Sequence, residues 1–567
     1  MAAVSCQFTV DLRRPGPSAL CEMALPPCMI GSQDEQAIFI NYNRGDSIDL
    51  FQLAGSPAFQ TSIGDRGFLS RRSIFARVSM SRMTNSLYSV AHNEDFISEL
   101  PDDILASILS RTPTYIALRT SILSKRWKNL YKYVSNVTLS CEDLLRGTHH
   151  GPHSQTAVYK LQRYFDNFHY GSSRIRFVSL RCCIKKPCGH QFEQLIYSLG
   201  NLGIEELHLW LSCNVPSDFA FSCEYISQIP SVTFLVLGSC LLVAGFSEKF
   251  SARLDRMLEG VGNGSVSNHK LQTLELRGVT LLPGSLEFVL STCLRLRSLY
   301  IGKCETPSKL CIGWADTDLQ LKSLVVEYCR GVEEIEIYAA NLQTLEFQGN
   351  KMVYIRFDQA PLLQSLYLSI ESENMMAHVF GRLAKDVSSL KSLTFDCKGD
   401  FYQESQRLMR MGGIEKFSKL RRLELNVNCM PKTDLLALTP FLQSCPLLQE
   451  FHLNVYDPTY DCGEAKEMEP AMDKLPHRYY HLNLKKVDIC GFDGTENEIE
   501  FLLYILKSAV ILEQMLISSS AKSYRGYGRW WELKRSWSGE TFEVIQSRLQ
   551  DEAVSSIAQL IFENNVI

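Results

Sequence analysis

One spacing governs most of this chain. The pattern L-x-x-L-x-L recurs between residues 175 and 517, at steps of 21 to 39 residues. It is carried by Leu271, Leu274 and Leu276, by Leu296, Leu299 and Ile301, and by Leu321, Leu324 and Val326. Leu342, Leu345 and Phe347 repeat it, as do Leu363, Leu366 and Leu368, then Leu390, Leu393 and Phe395. Leu420, Leu423 and Leu425, and then Leu448, Phe451 and Leu453, complete the regular set. Weaker copies centre on Val178, Leu207, Leu235, Val487 and Met515. Apolar residues two apart lie on one face of a strand. A unit this short cannot bury that face alone, so the units must stack. Uneven repeat length is tolerated because each unit touches only its neighbours.

A second signal runs beside the first. Three residues after the last apolar strand position stand Cys183, Cys240, Cys304, Cys329, Asn350 and Asn428. These side chains can satisfy backbone groups where the chain turns away from the strand. Pattern and turn residue together are those of leucine-rich repeats. The fold class is therefore α/β: a leucine-rich-repeat solenoid with a curved parallel sheet and irregular helices on its convex side. Val332, Ile335 and Ile337 fall between two regular units, which predicts a short extra strand without a helix.

Composition narrows the function classes. A net charge of −4 and a pI near 6.3 give no global basic field for nucleic acid. The 19 cysteines are odd in number and scattered, and residues 1–30 lack a signal-peptide core, so a reduced cytoplasmic or nuclear setting is expected. No run reaches the 18 apolar residues of a membrane helix. Cys182, Cys183, Cys188 and His190 lie close together but lack paired C-x-x-C spacing. His149, His150 and His153 sit in a Gly/Pro loop. Phosphate-cradling, nucleophile-elbow and H-E-x-x-H motifs are absent. Neither a cofactor, a metal nor a catalytic residue is expected.

Residues 1–94 contain no lysine, are rich in Pro, Gly and Ser, and sustain no period. They read as a mostly disordered extension. Arg13 and Arg14 would suit an organelle transit peptide, but Asp11 and Glu22 count against it. Residues 135–174 read as a linker with one helix over 155–168, and residues 518–567 as a loop followed by a helix near 540–550. The loop holds Tyr524-Arg-Gly-Tyr-Gly-Arg-Trp-Trp531, a mix of bases and aromatics found in single-strand binders. Beside a repeat end, a capping loop with packed tryptophans is the better reading.

Residues 95–134 follow a different rule. Pro101 suits a first helical position. Asp102 and Asp103 meet the positive helix start. Ile104, Leu105, Ile108 and Leu109 form one stripe. Pro113 opens a second helix, and Ser124 can cap a third. Three short helices cannot bury this much apolar surface among themselves. Either a partner covers it or the helices cap the chain's own repeats. The string Leu100-Pro-Asp-Asp-Ile-Leu, Ile108-Leu-Ser and Thr120-Ser-Ile-Leu-Ser-Lys-Arg-Trp127 closely resembles the F-box of plant F-box proteins. Thr112 departs from the Leu usual before the proline. The later segments Val332–Ile337 and Leu502–Ile517 resemble, more loosely, the FBD-type F-box/leucine-rich-repeat proteins, with the FBD-like region at about 480–517.

That resemblance implies a non-catalytic substrate receptor of a Skp–cullin–F-box ubiquitin ligase. Leu100, Pro101, Ile104, Leu105, Ile108 and Leu109 would supply much of the contact with a Skp-type adaptor, and through it a cullin. Leu118, Leu123, Trp127 and Leu130 would complete that face or hold the helices together. On the array, residues between the leucines line the concave face. These include Glu275, Tyr300, Glu346, Tyr367, Glu424 and His452, with Arg277, Glu327, Gln348 and Asp396 one site further. Acids outnumber bases, so a protein target with a basic, partly apolar segment is expected. Two other classes stay open: a non-degradative scaffold, and a small-molecule receptor of the same architecture.

Overall fold

The computed structural model describes five strands between residues 7 and 79, then residues 100–112, 114–120, 125–130, 135–141, 154–166, 175–184, 188–212, 219–245, 270–315, 318–370, 374–387, 389–398, 401–410, 413–428, 434–456 and 479–564. They divide into two compact units, Met1–His208 and Leu209–Ile567. No helix among the described residues is long and apolar enough to cross a membrane.

In the first unit, the N-terminal region read as an irregular extension carries strands Gln7–Val10, Ser18–Ala24, Glu35–Asn43, Ile48–Leu53 and Ala76–Ser79 in one sheet. Helices Asp102–Arg111, Thr114–Thr120 and Lys125–Leu130 follow. The segment read as a linker then contributes a strand, Asn136–Ser140, paired in parallel with Phe177–Arg181. Val137 and Leu139 are buried opposite Val178 and Leu180. In this unit strand pairing thus starts before residue 175. Val134, Val137 and Leu139 keep the repeat spacing in a weaker form, which the linker reading passes over. Helix Ser154–Asp166 packs beside Gly189–Asn201, where the Ser198 hydroxyl donates to Asp166 Oδ1 at 2.9 Å.

The second unit is built on a parallel ladder running from Phe234–Gly238 through Thr273–Arg277, Ser298–Gly302, Ser323–Glu327, Thr344–Gly349 and Ser365–Ile370. It continues through Ser392–Lys398, Arg422–Asn428, Glu450–Tyr456, Lys486–Cys490 and Gln514–Ser518 to Gln559–Glu563. The register follows the repeat: Leu274, Leu299, Leu324, Leu345, Leu366, Leu393, Leu423 and Phe451 align across eight neighbouring strands, all in the core. Gln559–Glu563 is an additional strand beyond the array drawn from the sequence, and the last helix spans Gly539–Leu549.

Repeat length decides what returns the chain to the next strand. The two 21-residue steps around Leu345 leave no room for a helix. Their returns, Glu334–Tyr338 and Tyr354–Gln359, are strands that pair in parallel with each other and with Lys309–Gly313. The extra strand foreseen at Val332–Ile337 is among them. Longer units use helices, such as Phe401–Arg410 and Glu496–Ser508. The latter starts with a reciprocal cap between Thr495 and Glu498 and buries Ile499, Leu502, Ile505 and Leu506. The cysteine turns act as foreseen. Cys304 Sγ accepts from the Val279 amide and donates to the Leu276 carbonyl, both at 3.4 Å. Cys329 Sγ donates to the Ile301 carbonyl at 3.4 Å.

Candidate protein-interaction surfaces

The three-helix module offers the first surface. Its opening helix begins at Asp102, so Pro101 is the residue before the helix rather than its first turn, with its carbonyl accepting from Leu105 at 3.0 Å. Asp102 and Asp103 lie at the positive end and Arg111 at the other. Arg126, from the third helix, donates to Asp102 Oδ1 at 2.7 Å and to the Leu100 carbonyl, which pins the entry strand. The departure at Thr112 has a local compensation: its hydroxyl and amide both donate to the Leu109 carbonyl, at 2.9 and 3.2 Å. Thr114 Oγ1 accepts from the Thr138 amide at 2.7 Å and ties the second helix to the first ladder strand.

Burial divides the residues expected to meet an adaptor. Leu105, Ile108, Leu109, Trp127 and Leu130 are interior, enclosed by this chain. An uncovered face is the expectation from sequence for Leu105, Ile108 and Leu109, and for these three it does not hold; interior Trp127 and Leu130 match the second role expected of them, holding the helices together, as the helices pack on one another and on Asn136–Ser140. Pro101 is exposed, and Leu100 and Ile104 are half-buried. The Leu118 side chain and Leu123 lie outside the described residues. The open apolar strip is therefore Leu100–Pro101–Ile104.

The face of the ladder set by the residues between the leucines is the second surface, and much of it is buried, Glu275, Tyr300, Tyr367 and Glu424 among its residues. Parallel register sets Glu275, Tyr300, Val325, Glu346, Tyr367, Thr394, Glu424 and His452 in one row, as the sequence spacing requires. Arg277, Gly302, Glu327, Gln348, Ser369, Asp396, Asn426 and Asn454 form the next. Gly302 gives Tyr300 space, because a Cβ there would strike its phenol ring. Tyr300 donates to Glu327 Oε2 at 2.5 Å, and the Arg277 guanidinium lies 4.2 Å over the Tyr300 ring. Further along, Glu424 pairs with Arg422 at 3.3 Å and His452 Nδ1 with Asp488 at 2.9 Å.

No local sequence signal points to what sits on this face. The segment expected to cap the repeat end is instead an antiparallel hairpin, Ala521–Tyr524 paired with Trp530–Leu533, whose tip reaches back over the middle strands. Tyr527 donates through its hydroxyl to Glu275 and through its amide to Glu346. The Tyr524 hydroxyl donates to Glu346 Oε1 at 2.7 Å, and Arg529 Nη2 to Glu327 Oε1 at 2.8 Å. The face donates in return: Gln348 Nε2 to the Arg525 carbonyl at 2.9 Å and Tyr367 to the Tyr524 carbonyl at 3.2 Å. Ring pairs Tyr300–Tyr527 and Tyr367–Tyr524 stand 4.6 and 5.0 Å apart. Burial, then the Glu346 carboxylate, pushes the Tyr524 phenol up to about 12. Burial raises Tyr527, Tyr300 and Tyr367 as well, so all four stay protonated donors at neutral pH. Four of the six residues singled out for target binding, Glu275, Tyr300, Glu346 and Tyr367, touch the hairpin. Trp530 is 60% exposed, while Trp537 packs inside and donates to the Phe492 carbonyl at 2.6 Å.

Comparison with known proteins agrees with this division. The family model of the At1g61320/AtMIF1 LRR domain matches residues 171–564, and that of the F-box domain matches residues 97–135. The chain is similar to the F-box/LRR-repeat protein At5g02910 of Arabidopsis thaliana, 23% identical over 445 residues that cover 75% of this chain and 88% of the relative. It is also similar to the F-box/FBD/LRR-repeat protein At1g80470 of Arabidopsis thaliana, 21% identical over 461 residues covering 78% and 88%. Similarity to the F-box protein At5g03100 of the same plant is higher, 53%, but spans 47 residues, 8% of this chain and 15% of the relative.

Proposed function

The chain belongs to the F-box/leucine-rich-repeat family, and from that premise we propose that it is the substrate receptor of a Skp–cullin–F-box ubiquitin ligase. The F-box docks on a Skp-type adaptor, and the ladder's outward face holds a protein target. The observation that carries the reading is the pairing of an F-box, whose entry strip Leu100–Pro101–Ile104 stays open, with a long ladder whose outward rows are rich in polar and aromatic side chains. The interior leucines Leu105 and Leu109 set the helix on the module, and so aim Leu100, Pro101 and Ile104 outward.

The mechanism is positional. A target held on the face is kept near a ubiquitin-conjugating enzyme on the same scaffold, and proximity supplies the rate. Isopeptide chemistry belongs to partner subunits. The test is affinity capture of the full chain from plant cells with the proteasome blocked, beside a Leu100→Ala/Pro101→Ala variant. Adaptor and cullin should accompany the wild type and be lost from the variant, while targets accumulate. Equal recovery of adaptor and cullin with both chains would reject the docking strip. Their absence from both would reject the ligase reading.

A further inference from the structure

The hairpin tip has the chemistry of a ligand. It brings two phenol hydroxyls, one guanidinium and one backbone amide to Glu275, Glu327 and Glu346 on three different strands. Glu275 and Glu327 are only 6% and 2% exposed although they belong to the outward rows. A loop that merely protected the end of the array would lie over its last strands. This one bonds to residues 98 to 252 positions away in sequence, on strands in the middle of the ladder.

The tip is also built to leave. Its stem is four residue pairs long, from Ala521–Leu533 to Tyr524–Trp530. A two-stranded ribbon of that size has marginal stability by itself. Its outer side is open at Trp530 and Leu533. Tyr527 is held in the left-handed backbone region at φ 49°, between Gly526 at 76° and Gly528 at 69°. A tyrosine adopts that conformation only where surrounding contacts impose it.

We propose that the tip, Tyr524–Arg529, is an internal stand-in for the protein segment this face binds: one presenting tyrosine hydroxyls and an arginine around a glycine turn, which displaces the hairpin as it docks. This rests on the reading of the outward face as the target surface and names the chemistry of the target. The segment must match Glu275, Glu327 and Glu346 with donors and lay aromatic rings on Tyr300 and Tyr367. A segment lacking these groups cannot outcompete the tip, so the hairpin also sets a threshold for selectivity.

The test uses the full chain and a fluorescein-labelled synthetic peptide of residues 521–533, read by anisotropy. A Tyr524→Phe/Tyr527→Phe/Arg529→Met variant keeps the ring packing but drops the three side-chain donors. It should bind the peptide at least tenfold more tightly than the wild type. Adding Glu275→Gln and Glu346→Gln should remove that gain. Affinities within twofold of each other, or no binding by the triple variant, would overturn the proposal. Should the triple variant fail to fold, mass-detected hydrogen exchange on the wild type decides. Excess peptide should speed exchange across Arg525–Arg529 at least tenfold, and unchanged exchange overturns the proposal. Neither assay involves the adaptor. Failed peptide binding with intact adaptor capture rejects this inference alone, whereas lost adaptor capture rejects the ligase reading.

Discussion

Replacing Gly526 by alanine asks whether the hairpin tip is seated on the ladder as tightly as its contacts imply. Gly526 has φ 76°, and a Cβ built there meets the Gln348 amide nitrogen, with the Tyr367 ring 3.0 Å away. Alanine in the left-handed region costs about 1–2 kcal/mol. Gln348 is buried and bonded to the Arg525 carbonyl, so moving its amide aside breaks that bond. A hydrogen bond of this kind contributes about 1 kcal/mol net. The tip should thus lose about 2 kcal/mol or more, and at about 1.4 kcal/mol per tenfold it opens some 30-fold more often. Nothing in the ladder's core is touched, so the main unfolding transition should stay in place. Mass-detected hydrogen exchange reads both: faster exchange confined to the peptide spanning Arg525–Arg529, with the strands Thr273–Arg277 and Thr344–Gly349 still protected. Unchanged exchange at the tip would refute the contact argument. Loss of protection in the strands as well would show that the hairpin holds the ladder together rather than resting on it.

Three further outcomes follow from burial. Leu105→Ala should cost about 2–5 kcal/mol in a chemical melt, because its side chain is fully enclosed, whereas Ile104→Ala should cost about 1 kcal/mol or less. Equal losses would erase the distinction between core and docking strip. Cys304→Ala strands the buried Val279 amide and should destabilise by about 1–3 kcal/mol. The hydrogen bond that Cys304 donates to Cys329, and burial, also raise the Cys304 thiol well above its usual range, so the native protein should resist alkylation there; rapid labelling would contradict the turn geometry. His481 is one pH-sensitive group; burial also lowers His378, while buried Glu498, raised to about 7, works in the opposite sense. Burial holds the His481 imidazole down to about 4 in the folded chain, against an ordinary value of 6.5. The unfolded chain takes this proton first, so the contribution of His481, present above pH 6.5, declines as pH falls from 6.5 to 4, by up to about 3 kcal/mol, against an opposing gain from Glu498. His481→Gln should flatten that limb of the stability–pH curve; an unchanged limb would assign it to other groups.

The ladder was legible because its signal is periodic and shared. Leu274, Leu299 and Leu324 must all point inward, and one register satisfies them together, so the outward rows could be read off residue by residue. The F-box was legible from helix signals and from many matched positions. Two kinds of information were not. Which apolar residues of a short helix face inward depends on what it packs against, and the strand Asn136–Ser140 lies in a segment read as a linker although Val134, Val137 and Leu139 keep the repeat spacing. The placement of the hairpin depends on contacts such as Tyr527 with Glu275, 252 residues apart, which no local pattern records. The segment with Gly526, Gly528 and the mixture of tyrosine and arginine reads as a capping loop; the acidic row it meets could be read from the repeat spacing.

Docking of the F-box strip on an adaptor is the central claim, and calorimetric titration of the full chain with a purified plant Skp-type adaptor measures it without intermediaries. The wild type should bind one to one. Ile104→Asp places an unpaired carboxylate in the contact at a cost of about 3 kcal/mol, and should weaken binding about 100-fold while the chain melts within a few degrees of wild type. A wild type that does not bind, or binding that Ile104→Asp leaves intact, would contradict it.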